Sequence, residues 1–276
     1  MRLVLSSIVQ TAKEDMTSGS SEMTAKLLQS LRSVLSSNRN LNRMEWQEFA
    51  AALKEARPGI APFHNISAII SEIAGNMSLS DWNEAIAKKI EEVAHDEMEA
   101  AKSIAERFAQ IQSSSTFLTI SYSGTILAAL LHQKLHGEPM VYVAESLPFG
   151  EGRMTAKKLT QQGMNVRLIT DSMIGGVIDE VDCCVVGADA IIPEGVVNKV
   201  GTRALAATCM TAGKETYVLA SELKIAKLDK VELGRSTKGG EGYPELSQSL
   251  EVTPMDLVDH IVTNKRDLPK SSLTWK

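Results

Sequence analysis

Four ionisable residues, Glu145, Asp171, Asp189 and Lys224, sit at the ends of four apolar runs: VYVAES, NVRLITDS, DCCVVGADAI and TYVLASELK. A carboxylate just past a buried strand can bind sugar hydroxyls or move a proton. The same Asp can instead cap the turn that follows it. In Gly187-Ala188-Asp189 the small neighbours let a ligand approach the backbone. Ser121-Tyr122-Ser123-Gly124-Thr125 follows another strand-like run and opens a helical pattern. Ser121 and Ser123 there offer hydroxyls and backbone N–H groups to an anion, usually phosphate. Simple N-capping would use the same residues. Asn198-Lys199, just before Gly201-Thr202, adds an amide and an ammonium suited to phosphate or hydroxyl contact. The candidate ligand site is therefore Ser121, Ser123, Glu145, Asp171, Asp189, Asn198, Lys199 and Lys224.

The elements that must hold these residues alternate. Strand patterns over 116–121, 140–144, 166–170, 183–187 and 216–220 are separated by helical patterns over 124–136, 155–163 and 202–212. Repeated strand–turn–helix units predict a parallel sheet covered on both faces. In such sheets ligands bind at the carboxyl ends of the strands. Residues before Gln112 read as helical throughout. Met23, Leu27, Leu28, Leu31 and Leu35 recur at helical spacing, as do Ile86, Ile90, Val93, Ala101, Ile104, Phe108 and Ile111. Ser80 offers an N-cap for the second stripe. The expectation is an α/β chain: an all-helical domain over 1–112, then a Rossmann-like, ligand-binding parallel-sheet domain over 113–276. The Gly- and charge-rich stretch 230–245 reads as a mobile surface loop.

Composition narrows the function classes. The chain has 276 residues, 43% of them apolar, enough to bury a core. A net charge of −5 and 4% aromatics argue against generic affinity for nucleic acid and against a base-stacking platform. No direct nucleic-acid binding is expected. The three cysteines, Cys183, Cys184 and Cys209, lie in apolar patterns and read as small buried hydrophobes in a reducing compartment. No CxxC spacing exists, His132 and His136 are four apart but no third ligand with suitable spacing follows, and no GxxxxGK[ST] or GxGxxG loop indicates a nucleoside triphosphate or dinucleotide. No metal or cofactor is expected. The first residues become polar too early for a secretory segment, and no apolar run is long enough to span a membrane. A cytoplasmic protein without a membrane role is expected.

The segments VYVAESLPFGEGRMTAKKL, VRLITDSMIGGVIDEVDCCVVGADAIIPEGVVNKVGTRALA, TYVLASELK and EVTPMDLVDHIVT resemble the alpha/beta/delta subunit family of translation initiation factor 2B. That family includes sugar-phosphate isomerases. The resemblance covers nearly all of 116–263, with weaker support in the helical third. It implies one of two activities. Some members are subunits of a guanine-nucleotide-exchange complex acting on initiation factor 2. Others convert ribose-1,5-bisphosphate or methylthioribose-1-phosphate from aldose to ketose with a Cys/Asp acid–base pair. The Asp falls on Asp189. The Cys falls on Ser121, within LTISYSGT, where isomerases resemble LTHCNS and exchange-factor alpha subunits look more like LTHAYS.

Two further departures follow. An ETRP-like motif of the isomerases is Glu145-Ser146-Leu147-Pro148 here, and an RGA-like turn is Ser18-Gly19-Ser20. Two bidentate phosphate contacts are thereby lost. A serine hydroxyl is also a far poorer acid or base near neutral pH than a thiol. Asp189, Asn198, Lys199 and Lys224 are retained. The resemblance thus implies an initiation-factor-2B alpha-like regulatory subunit whose cleft binds a sugar phosphate or nucleotide monophosphate. It implies a homodimer or higher oligomer, with initiation factor 2 as a possible partner. The alternative is an aldose–ketose isomerase, with Asp189 catalytic. A third reading is a metabolic ligand sensor outside translation.

Overall fold

The computed structural model describes residues 2–15, 18–37, 41–78, 81–226, 228, 231, 233, 235–239 and 242–269. The chain divides into two compact units, Met1–Glu99 and Ala100–Lys276.

The first unit is helical. It contains α1 (Leu3–Glu14), α2 (Ser20–Ser36), α3 (Arg43–Ala56), α4 (Ala61–Gly75) and the start of α5 (Trp82–Ile111). The α5 helix continues beyond the division between the units and ends just before the boundary suggested by the sequence at residue 112. Asn42 and Glu45 form a reciprocal capping box that starts α3, and Pro62 occupies the first turn of α4. The apolar stripes converge on Leu31, Trp46, Phe49, Leu53, Phe63, Ile66, Ile70 and Ile86, all essentially inaccessible. Ser80, the expected cap of the last helix, lies outside the described residues.

The second unit alternates as its sequence predicts. In order come β1 (Thr116–Ile120), α6 (Gly124–Gln133), β2 (Met140–Ala144), α7 (Glu151–Gln161), β3 (Asn165–Ile169), α8 (Ile174–Val177) and β4 (Cys183–Val186). Then follow β5 (Ala190–Ile192), β6 (Gly195–Lys199), α9 (Thr202–Thr211), β7 (Glu215–Leu219), β8 (Arg235–Gly239), β9 (Pro244–Gln248), β10 (Leu250–Pro254), β11 (His260–Val262) and β12 (Asp267–Pro269). Seven strands form one sheet in the order β12-β11-β7-β4-β1-β2-β3. Every pairing in it is parallel except β11 with β12. β1 and β4 are buried along nearly their whole length, as a sheet covered on both faces requires. Adjacent Cys183 and Cys184 enter opposite cores: Cys183 packs with Phe108, Leu130 and Leu159, and Cys184 with Ile174, Leu205 and Ile261. Alternation along a strand dictates that split.

Winding proceeds outward from β1 through β2 to β3, and in the other direction through β4 to β7. The order therefore reverses between β1 and β4, where open α/β sheets have their ligand crevice. A smaller antiparallel sheet, β10-β6-β5, carries the chain from Asp189 to α9. Two features go beyond the sequence reading. β4 ends at Val186, within one residue of its expected end at 187, and Ala190 begins a further strand, β5, in the second sheet. Gly187 and Asp189 occupy the crossing between the sheets. The stretch 230–245 is not all loop. Arg235–Gly239 and Pro244–Gln248 pair as an antiparallel ribbon, since Ser-Thr and Glu-Leu-Ser alternate well enough for a strand despite their polarity.

Candidate functional site

The β1 turn is built from strained backbone and hydroxyls. Ser121 and Ser146 both have φ of 70°, a conformation that L residues avoid unless local contacts hold them. Those contacts are present. The Ser121 N–H donates to Ser146 Oγ at 2.6 Å, and Thr155 Oγ1 donates to the Ser121 carbonyl at 2.6 Å. Ser146 is fully buried, and its Oγ donates onward to the Ala144 carbonyl at 2.9 Å. Asp171 completes the lock. Its two carboxylate oxygens accept the N–H groups of Ser146 at 2.7 Å and Leu147 at 2.8 Å. The peptide bond between Leu147 and Pro148 is cis. Sequence reasoning did not find Ser146, whose signal is only a small hydroxyl residue beside a Leu-Pro pair. Asp171, read as a ligand candidate, has its oxygens turned onto the backbone of the neighbouring turn.

Glu145 faces Arg153, which donates from Nε at 2.9 Å and Nη2 at 2.6 Å to Oε1. The guanidinium missing at Leu147 thus has a counterpart six residues on along α7, but it is engaged with a carboxylate. Gly152 makes this packing possible. A Cβ there would lie 1.8 Å from the Ala144 carbonyl oxygen.

The crevice joins β1, β4 and the turn into α9. Ser123 caps α6, accepting from the Ile126 N–H at 3.4 Å. A Cβ on Gly187 would lie 3.1 Å from Ser123 Oγ. Gly201, at φ 99°, abuts Ile120, with an added Cβ only 2.8 Å from its Cδ1. Asp189 follows directly. Its N–H donates to the Val197 carbonyl at 2.8 Å, tying it to the strand that ends in Asn198 and Lys199. Lys224, only 4% exposed, donates to the Ala188 carbonyl at 2.6 Å. Ser123, Asp189 and Lys224 are thus gathered around one Gly-Ala-Asp crossing. Ser121, Glu145 and Asp171 form a second group on the β2 side.

Asn198 and Lys199 end β6 rather than merely preceding a helix. Asn198 Nδ2 donates to Thr202 Oγ1 at 3.1 Å, and Thr202 Oγ1 donates to the Lys199 carbonyl at 2.6 Å. Lys199 is 3% exposed. Its ammonium meets Glu151 at 3.0 Å and lies 4.7 Å from the centre of the Phe149 ring. Glu251 on β10 accepts at Oε1 from the Gly201 N–H at 2.7 Å and the Arg203 N–H at 2.9 Å. A carboxylate therefore already sits on the amides that open α9. Sequence reasoning missed Glu151 and Glu251, because each reaches its partner from about fifty residues away in the chain.

The thiols and imidazoles of the sheet unit are placed elsewhere. Cys183, Cys184 and Cys209 are fully inaccessible. Burial pushes the Cys183 thiol up to about 12 and the Cys184 thiol well above its ordinary value. His132 and His136 follow at the far end of α6, away from its capping Ser123. His260 begins β11 and stacks on Tyr217, with centroids 4.6 Å apart near the start of β7. All three histidines therefore belong to the amino ends of the parallel strands, opposite the crevice.

Comparison with known proteins agrees with this architecture. The sequence model described as the Initiation factor 2 subunit family matches residues 16–268. The chain belongs to that family. A translation initiation factor eIF-2B subunit 2-like protein of Pyrococcus furiosus is 30% identical over 222 residues, 78% of each chain. A ribose 1,5-bisphosphate isomerase of Archaeoglobus fulgidus is 28% identical, with 82% of this chain and 77% of that protein covered. Among solved structures, the translation initiation factor eIF-2B of Pyrococcus horikoshii OT3 superposes with a TM-score of 0.82 over 97% of each chain at 23% identity. That likeness establishes the fold. Among the described residues no helix is long and apolar enough to cross a membrane.

Proposed function

We propose that this chain is a regulatory subunit of the initiation-factor-2B type that binds a sugar phosphate or nucleotide monophosphate at the β1/β4 crevice without isomerising it. One observation carries the reading. Asp189 stands at the crevice, but the sheet unit's described thiols are buried and its histidines belong to the opposite ends of the strands. Aldose–ketose conversion needs two groups poised near neutral pH. Ser121, at the family's Cys position, is held by its backbone and has no imidazole in its own turn to activate it. Ligand contacts fall to Ser121, Ser123, Asp189, Asn198, Lys199 and Lys224, with Glu145 and Asp171 shaping the turn beside them. Association is as a homodimer or larger assembly, in the cytoplasm, with initiation factor 2 as the translational partner.

The isomerase reading rests on the similarity to the Archaeoglobus fulgidus protein and on the retained Asp189, Asn198 and Lys199. A metabolite screen by thermal shift, followed by turnover assays, separates the two. The expected result is stabilisation by a monophosphate and no turnover of ribose-1,5-bisphosphate or methylthioribose-1-phosphate. Lys199→Ala should weaken binding by about 1–3 kcal/mol, the scale of a charged hydrogen bond. Robust wild-type turnover that Asp189→Asn abolishes would establish the isomerase instead.

A further inference from the structure

The turn 198–203 offers an anion two features, the Lys199 ammonium and the amides that open α9. Both already face carboxylates of this chain. Glu151 lies 3.0 Å from Lys199 Nζ, and Glu251 takes the Gly201 and Arg203 amides at 2.7 and 2.9 Å. Lys199 is sealed from water, but Glu151 retains 29% of its side-chain exposure and Phe149, above the ammonium, retains 66%. The Lys199 ammonium thus already has a carboxylate against it, and one oxygen of that carboxylate, Glu151 Oε2, is itself buried. The other charges at these strand ends do not supply a surplus of positive charge. Arg153 is bound to Glu145, Asp171 holds two amides, Lys224 donates to the Ala188 carbonyl, and Asp189 adds a further carboxylate.

We propose that Glu151 is a specificity-determining residue of this crevice: as the internal counter-ion of Lys199, roofed by Phe149, it restricts the site to ligands carrying one phosphate and excludes bisphosphates. The inference rests on the ligand-binding reading above and names its charge class. Each phosphate monoester carries roughly −1.5 to −2 charge. One such group can use Lys199 or Lys224 with the hydroxyls of Ser121 and Ser123. A second must settle beside Glu151 or Glu251, where like charges repel in a site of restricted solvent. Glu151 also opens α7, where an acid favours the helix dipole. A purely helix-starting role would affect stability and leave ligand choice unchanged.

The test is calorimetric titration of the wild type, Glu151→Gln and Phe149→Ala with ribose 5-phosphate and ribose 1,5-bisphosphate. These probes share a sugar and differ by one phosphate. Wild type should bind the monophosphate at least tenfold more tightly. Glu151→Gln should gain at least tenfold for the bisphosphate and change little for the monophosphate. Phe149→Ala should shift both ligands by the same factor. Glu151→Ser removes the same charge and gives the same reading if the Gln variant does not fold. Monophosphate binding with the bisphosphate equally excluded from wild type and the charge-removed variants overturns the role of Glu151 alone. So does a wild type that already prefers the bisphosphate. Failure of all these proteins to bind either sugar removes the ligand site itself, and the inference with it.

Discussion

The turn after β2 and the turn after β6 stand at the same crevice, and each has a carboxylate on two backbone amides, but only the second adds a side-chain ion pair. At the first, Asp171 fixes Ser146 and Leu147 through two backbone amides, and Ser146 fixes Ser121. At the second, partners come from far away in sequence: Glu151 forms an ion pair with Lys199, and Glu251 takes the Gly201 and Arg203 amides at the start of α9. The first arrangement has its donors rigidly aimed and leaves its carboxylate little to offer a ligand. The second sets a buried ammonium against a carboxylate whose side chain is still partly exposed. Residue type at a strand end therefore does not decide between a structural and a binding role. The partner does.

Gly152→Ala should break the first turn most severely. Its Cβ would fall 1.8 Å from the Ala144 carbonyl oxygen, a backbone atom of a buried strand that has no room to yield. The expected loss is about 3 kcal/mol or more, at the upper end of the cost of overpacking. Urea unfolding measures it. A loss under about 1 kcal/mol would show that α7 shifts freely against β2, and that the turn is not the rigid half of the comparison.

Asp171→Ala comes next. It orphans the Ser146 and Leu147 amides and releases the anchor of Ser121. Hydrogen bonds to a charged group contribute about 1.5–3 kcal/mol each, and the exposed Leu147 amide can turn to water. A net loss of about 2–3 kcal/mol is expected, with Asp171→Asn intermediate because one acceptor oxygen survives. Glu251→Ala, which uncovers two amides at a helix start, should cost about 1 kcal/mol, as loss of an N-cap does. If the two alanine variants cost the same, the burial of Ser146 adds nothing to the hold that its turn gains from Asp171.

These roles mark where sequence reading stops. The parallel sheet was legible because buried strands and intervening helices impose distinct periods, and β1, β2 and β7 fall within one residue of their expected ranges. The helical unit was legible from its apolar stripes. The placement of Ser121, Asp189 and Lys224 just past strand ends was legible too, because each follows an apolar run in the sequence. The wiring was not. Glu151 and Lys199 are 48 residues apart, and Glu251 and Gly201 are 50. No local pattern encodes such a pairing. β5 was hidden because its three residues continue the apolar run, CCVVGADAII, that β4 begins.

The smallest effect concerns a third carboxylate, Glu222, and tests whether the ranking extends to an exposed pair. Burial pushes its carboxyl up, but the Arg266 guanidinium and the Thr263 hydroxyl together outweigh burial and hold it below its ordinary 4.5. The contacts are 2.8 Å to Arg266 Nε and 2.8 Å to Thr263 Oγ1. A carboxyl depressed in the folded state favours folding above its unfolded value, and that contribution is lost as pH falls through the folded value. The guanidinium is 55% exposed, so solvent screening holds the pair to under about 1 kcal/mol. Glu222→Gln should therefore be slightly less stable than wild type at pH 7. The gap should close as pH drops below about 4.5, and 1 M salt should shrink it, since the Debye length there is about 3 Å. Unfolding curves at pH 7 and pH 4, with and without salt, give the measurement. A gap that widens on acidification would mean that Glu222 acts through its neutral form, and a gap as large as that of Asp171→Ala would erase the gradient from buried amides to exposed cations.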